Sequence, residues 1–166
     1  MENTVKSHNI GIGREQGIIK FTSDMDTVNH VLADGEKSIN TVSIQICTLD
    51  AALKDEAPTL MKIDLEGYET PTLEGASETL KKQSLHSVIM ELNGSGKRYG
   101  YDELRILDMM FDYGFRTYSY NPLKRKLINL NGKNLNSGNT LFIRNEALVL
   151  ERPKNSPMVS IFGKRF

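Results

Sequence analysis

The sequence holds a single cysteine, Cys47, in 166 residues. No disulfide framework can form within the chain, which suits a reducing compartment. With no histidine near it in the sequence, Cys47 reads as a small strand residue rather than a nucleophile. An excess of charge of either sign is also missing, since Lys and Arg number 21 and so do Asp and Glu. That argues against a nucleic-acid or membrane-surface protein, which would need a net basic face. No apolar run approaches membrane-spanning length. The start, Met1-Glu2-Asn3-Thr4, lacks the basic and then apolar pattern of a signal peptide. The expectation is a cytoplasmic chain. Internal repeats, low-complexity segments and linkers are absent as well, and the length favours one domain over residues 1–166 with a core of its own.

What the chain does contain is concentrated in Leu60-Met61-Lys62-Ile63-Asp64-Leu65-Glu66-Gly67-Tyr68-Glu69. Leu60 to Ile63 reads as a short buried strand ending in an acidic, glycine-containing turn. A helix over Thr70–Lys82 follows, with Thr70 as N-cap, Pro71 in the first helical position, and Leu73, Ala76 and Leu80 at helical spacing. This arrangement puts Asp64 and Glu66 at the carboxyl end of a sheet, the edge where ligands bind in α/β proteins.

Upstream, Asn9-Ile10-Gly11-Ile12-Gly13, a turn at Arg14–Gly17 and Ile18–Phe21 read as a hairpin or strand-turn-strand. The glycines lack the spacing of a phosphate-binding loop, and a strand rather than a helix follows them. Thr22–Asn40 is polar and irregular, and His30 within it reads as a solvated loop histidine. Val42, Ile44 and Ile46 alternate with polar residues as a half-buried strand, and Thr48 caps a short helix from Leu49 to about Lys54. Downstream, Val88-Ile89-Met90 suits a strand buried on both faces of a parallel sheet. The helix Tyr101–Tyr113 is expected to bury Leu104, Leu107, Met110 and Phe111, with Gly114 as its stop. Phe115–Tyr120 and Leu127–Leu130 read as a hairpin and Thr140–Ile143 as a last strand. Residues 146–166 read as an irregular tail. Alternating β and α elements argue for an α/β three-layer sandwich, with a mostly parallel sheet and antiparallel strands at its C-terminal edge.

Several of these segments together resemble the FkbM family of methyltransferases. They are Met61 to Glu69, Leu73-Glu74-Gly75-Ala76, Leu80 and Val88-Ile89-Met90-Glu91-Leu92. Weaker matches at Asn9–Gly17, Thr48-Leu49-Asp50, Gly114-Phe115 and Asn139–Arg144 extend the similarity over roughly residues 8–145. The resemblance implies a partial Rossmann-like, class I methyltransferase-like fold. It also implies methyl transfer from S-adenosylmethionine to a hydroxyl oxygen of a sugar or natural product. Family domains begin with a strand, a glycine-rich turn, a helix and a strand ending in a ribose-holding acid. The sequence contains no Asp-x-Gly-x-x-x-Gly turn and no candidate ribose acid. The expectation is therefore a truncated or split enzyme that enters at about the third strand.

By the same resemblance, Asp64 lies at the mouth of the cofactor pocket. There it orients or deprotonates a substrate hydroxyl or holds the cofactor's ammonium. Glu66 assists, or accepts N–H bonds within the turn, while Glu66 and Glu69 equally suit a helix N-terminus. Gly13 is placed beside the cofactor, with Arg14 where the family often has Asp. Glu91 and Asn93 end the next strand on the same edge and face the substrate, and Arg98, Tyr99 and Tyr101 would line its rim. No metal is expected. Two other readings are a non-catalytic binding module of the same fold and a Mg²⁺-dependent phosphohydrolase built on Asp64-x-Glu66. The partners expected are a small-molecule or glycan hydroxyl acceptor and a second or complementing chain recruited at the open flank of Leu60–Ile63, with no nucleic acid and no membrane.

Overall fold

The computed structural model describes residues 4–38 and 40–165. The chain opens with a small sheet made of β1 (Gly11–Ile12), β2 (Gly17–Thr22) and β3 (Thr41–Cys47). β1 and β2 do not pair with each other as a hairpin. Both flank β3, β1 parallel and β2 antiparallel to it, so that Gly11 and Gly17 each sit opposite Ile46. A Cβ on Gly11 would come within 2.7 Å of Ile46 Cγ2, and it is the missing side chain that lets Ile46 be buried there.

α1 (Leu49–Ala52) follows, capped as expected by Thr48 Oγ1, which accepts from Ala51 N at 3.1 Å. β4 (Leu60–Ile63) leads to α2 (Glu69–Glu74) and α3 (Ser77–Lys81), then to β5 (Ser87–Glu91). The continuous helix expected over Thr70–Lys82 is therefore broken at Gly75-Ala76. The cause lies outside the helix. A Cβ on Gly75 would stand 2.2 Å from Gly13 O, so the backbone of β1's end packs directly on the break. Gly75 O accepts from Asp50 N at 3.0 Å. The Asp50 carboxylate then accepts from Glu78 N and Thr79 N at 2.9 and 2.7 Å, restarting the helix as an N-terminal cap supplied from α1. Thr70 is not a cap. It lies inside α2, whose N-cap position is Tyr68.

After β5 come α4 (Glu103–Asp112), β6 (Arg116–Asn121), β7 (Lys126–Asn129), β8 (Asn139–Ile143), α5 (Glu146–Asn155) and a small hairpin, β9 (Ser160–Ile161) with β10 (Lys164–Arg165). The tail is thus not irregular. Asn145 caps α5 through a bond from Leu148 N at 3.1 Å, although α5 buries none of its residues. α4 buries Ile106, Leu107 and Met110 and leaves Leu104 62% exposed. A helix capped by Asp102 is rotated so that Leu104 faces outward. Gly114 ends it at φ +83°, as the stop signal requires.

The main sheet has five strands in the order β4-β5-β8-β6-β7. Only β4 and β5 run parallel. β8 inserts between β5 and β6, antiparallel to both. The expected mostly parallel sheet is corrected on this point. The chain makes one β-α-β crossover here, from β4 through α2 and α3 to β5, after which the β6–β7 hairpin and the return to β8 impose antiparallel pairing. Met61, Val88 and Phe142 stand in one row, and Ile63 and Met90 in the next. All five are buried in one cluster with Leu73, Leu80, Ile106 and Met110. On the opposite face, Lys62 is exposed and Ile89 and Leu141 are half-buried. The core cluster lies on one face of this sheet against α2, α3 and α4. On the other face Tyr118, in the row of Leu141 and Ile89, donates to Glu146 of α5 at 3.2 Å. Neither β4 nor β5 of this sheet is buried on both faces. β4 is its terminal strand.

Arg144, just past β8, knots the layers. Its guanidinium donates to Leu80 O, Lys82 O, Leu85 O and Tyr113 O and lies 4.6 Å from the centroid of the Phe115 ring.

Two glycine substitutions test the packing. Gly75→Ala forces a Cβ onto the Gly13 carbonyl and should cost about 2 kcal/mol or more in urea unfolding. Gly17→Ala, with nothing within 4 Å, should stay within about 1 kcal/mol of the parent. Equal losses would remove the backbone contact as the cause of the helix break.

Candidate functional site

The site is built from the turn that ends β4. Glu66 and Gly67 both take positive φ, +52° and +103°. For Gly67 no side chain would fit, because a Cβ would lie 2.6 Å from the Ser95 carbonyl. Glu66 tolerates its unfavourable backbone because the turn is held on both sides. From inside, Glu69 Oε1 accepts from Leu65 N at 3.0 Å and Gly67 N at 3.4 Å. From outside, Arg98 donates to Glu66 O at 3.3 Å. Glu69 is buried, and that burial pushes its carboxyl above the ordinary range against the bonds it accepts. These are the contacts of a structural acid at the helix start.

The turn delivers Asp64 and Glu66 to the carboxyl ends of β4 and β5, where Glu91 arrives from β5. Ligand oxygens of all three lie within 4.8 Å of one another. Asp64 is paired with Lys62, whose hydrogen bond holds its carboxyl below the usual range. Glu91 is pushed the other way, first by burial, then by its hydrogen bond to Asp64 and the charges of Asp64 and Glu66. The two neighbouring carboxyls are thus pushed apart in proton affinity, Asp64 down and Glu91 up. The same spacing would suit a hard divalent cation, although exposed acidic groups are common without one.

Asn93 does not join them. It is exposed, and its side-chain oxygen accepts from Ser95 N at 2.9 Å in a local turn. Gly13 is buried and donates its N–H to Cys47 O at 2.9 Å. It packs on Gly75 rather than on the carboxylates. Arg14 ties the small sheet to the helices, pairing with Glu74 at 2.7 Å and donating to Tyr101 Oη at 3.0 Å.

One cavity reaches the carboxylates, and a second adjoins the first. The first, of about 280 Å³, runs from Asp64, Leu65 and Glu66 between walls that include Ile12, Phe21 and Ile44. The other, of about 580 Å³, is lined by Arg98, Tyr99 and Tyr101, together with Lys20 and Asp34. Ile19, Val31 and Tyr68 border both. Tyr68 meets Tyr99 edge to face with centroids 5.4 Å apart. The segment that walls both cavities is fixed by His30, which is buried rather than solvated. Its ring nitrogens lie 2.9 Å from Val28 O and 2.9 Å from Glu36 Oε1. Glu36 in turn accepts from Ala33 N at 2.9 Å, the first of the causes that lower its carboxyl.

Sequence reasoning missed Tyr68 as the shared wall, although it sits inside the motif, and missed Gly138. A Cβ on Gly138 would lie 2.9 Å from Glu91 Oε1, so this glycine leaves room for the carboxylate. No pattern in the sequence announces that contact across 47 residues, the separation of positions 91 and 138.

S-adenosylmethionine presents a sulfonium and an ammonium, both cationic. The donor set fits that end of the molecule, with carboxylates of Asp64 and Glu66 at one end of an apolar-walled cavity.

Two variants test the turn. Glu69→Gln keeps an acceptor for the Leu65 and Gly67 amides and removes a costly buried charge. Because the native carboxyl is raised, it favours folding below its unfolded pKa and loses that contribution as pH rises through the folded one. The Gln variant should lose this fall in stability over that window, while Glu69→Ala, which orphans both amides, should be less stable by about 1–3 kcal/mol. Thermal unfolding across acidic to neutral pH reads both. A Gln variant with an unchanged pH slope would contradict the assignment.

A family model described as the methyltransferase FkbM domain matches residues 3–117. Comparison with curated proteins gives no match, and comparison with solved structures gives none either.

Proposed function

Since the chain belongs to the FkbM methyltransferase family and shares its class I methyltransferase-like α/β fold, we propose that it takes part in S-adenosylmethionine-dependent methylation of a hydroxyl oxygen on a sugar or natural-product acceptor. The observation that carries this reading is the pairing of Asp64 and Glu91, shifted in opposite directions, where Asp64 and Glu66 line an apolar-walled cavity. Family membership also favours this use of Asp64-x-Glu66 over phosphate-ester hydrolysis.

When bound, the cofactor supplies a methyl group on a positively charged sulfur that departs as a neutral thioether, so the leaving group needs no acid. The chain's work is positioning and taking up one proton. Asp64, kept ionised by Lys62, and Glu66 hold the cationic end. Glu91, the more basic carboxylate, accepts the hydrogen of the acceptor hydroxyl and then its proton. Tyr68 borders both cavities beside this corner. The free edge of β4 supports self-association or recruitment of a complementing chain.

Calorimetry with S-adenosylmethionine, followed by transfer of a labelled methyl group to a panel of polyhydroxylated acceptors, tests the reading. Heat and transfer are expected, with Asp64→Asn and Glu91→Gln each lowering kcat/KM by about 10²–10⁴-fold. In the parent, kcat/KM should rise with pH through a midpoint above the ordinary glutamate value, because the base acts deprotonated. No heat at high cofactor concentration would end the case for methyl transfer by this chain alone, and heat without transfer would support a binding module. Light scattering at high concentration checks association, which a strict monomer would rule out.

A further inference from the structure

Below the carboxylates lies a third cavity, of about 10 Å³, lined among others by Glu69, Thr70, Glu91 and Tyr101. That volume is the size of one water molecule. Thr70 is 1% exposed, and its Oγ1 is buried without a hydrogen-bond partner among the described residues. A buried hydroxyl of this kind is normally satisfied, by protein or by ordered water. Valine would fill the same space with no polar atom to satisfy, so the hydroxyl is the feature that needs an explanation.

We propose that Thr70 is a positioning residue for Glu91, acting through a single ordered water that bridges the Thr70 hydroxyl and the Glu91 carboxylate. This deepens the methyl-transfer reading and rests on it for the role of Glu91. The chemistry of the groups fixes the direction of the bonds. A carboxylate only accepts, so the water donates to Glu91, while the hydroxyl of Thr70 can donate to that water or accept from it. The water then needs at least two polar partners, and the lining supplies them. A donor on the ionised carboxylate favours the ionised form. The bridge therefore opposes the upward push on Glu91 from burial and from Asp64. The charged groups around it are Asp64, Glu66 and Lys62 from β4 and its turn. Glu69 comes from α2, and Asp102 and Glu103 come from the start of α4. Glu103 is already paired with Lys133, so the free contest for the Glu91 proton is with Asp64 and the water.

The decisive experiment titrates the carboxyl carbon of Glu91 by NMR in the full chain, in the parent and in Thr70→Val and Thr70→Ser. Thr70→Val should shift the Glu91 midpoint upward, and Thr70→Ser, which keeps the hydroxyl, should restore it. The ascending limb of the pH–rate profile should move the same way. An unmoved Glu91 in folded Thr70→Val overturns the proposal. If Thr70→Val does not fold, magnetisation transfer from water to the Thr70 methyl in the unmodified protein decides, since a long-lived internal water gives a signal and its absence overturns the bridge. The titration needs no turnover. A chain that transfers no methyl group but shows the shift refutes the function and keeps the water, and the reverse result refutes only Thr70.

Discussion

Much of the architecture hangs on one close backbone approach, the carbonyl of Gly13 against the α carbon of Gly75. A side chain on Gly75 would hold the small sheet away from the helices. Because none is there, the end of β1 reaches the corner between α2 and α3, and Asp50 completes the joint from α1. Its amide takes the Gly75 carbonyl, and its carboxylate takes the open N–H groups of α3. The break is therefore a splice between three segments, and it sets the angle at which α2 leaves the β4 turn. That angle fixes where Glu69 sits, and Glu69 holds the turn that presents Asp64 and Glu66.

The acidic groups at this corner divide according to their surroundings. Glu69 is buried and spends its acceptor capacity on backbone amides. Asp64 stays near solvent with a lysine beside it. Glu91 lies between these extremes, partly desolvated and facing another carboxylate. Three acids of similar intrinsic strength acquire different tasks from burial and neighbours alone. The walls follow a similar logic. Tyr68 belongs to the turn, yet its ring forms part of both cavities, so the element that aims the acids also partitions the space before them.

Local chemistry was the legible part. The strand-turn-helix at Leu60–Glu74, the Thr48 cap, the Gly114 stop and the β6–β7 hairpin all follow from nearest-neighbour rules. The convergence of Asp64, Glu66 and Glu91 was legible because a strand end is a local feature and its position on a sheet edge follows from topology. What escaped was set by distant partners. A helical pattern that runs through Gly75 cannot show that Gly13 lies against it. Strand order is a property of the whole sheet, and nothing in Thr140–Ile143 says that β8 enters between β5 and β6. His30 looks like a loop residue until Val28 and Glu36 close around it. Asn93 stands at the correct strand end, but its own turn occupies its oxygen.

β8 also carries a consequence for how the chain is made. It occupies the middle of the main sheet, and Arg144 behind it closes carbonyls of α3, the loop before β5 and the end of α4. During synthesis, the strand that joins the two halves of the sheet leaves the ribosome after β5 and after the β6–β7 hairpin. Until then β5 has an open edge and the β6–β7 hairpin has nothing to dock on. Pairings across such sequence separations form slowly, so the nascent chain is most exposed to wrong strand partners in the interval before residue 144 emerges.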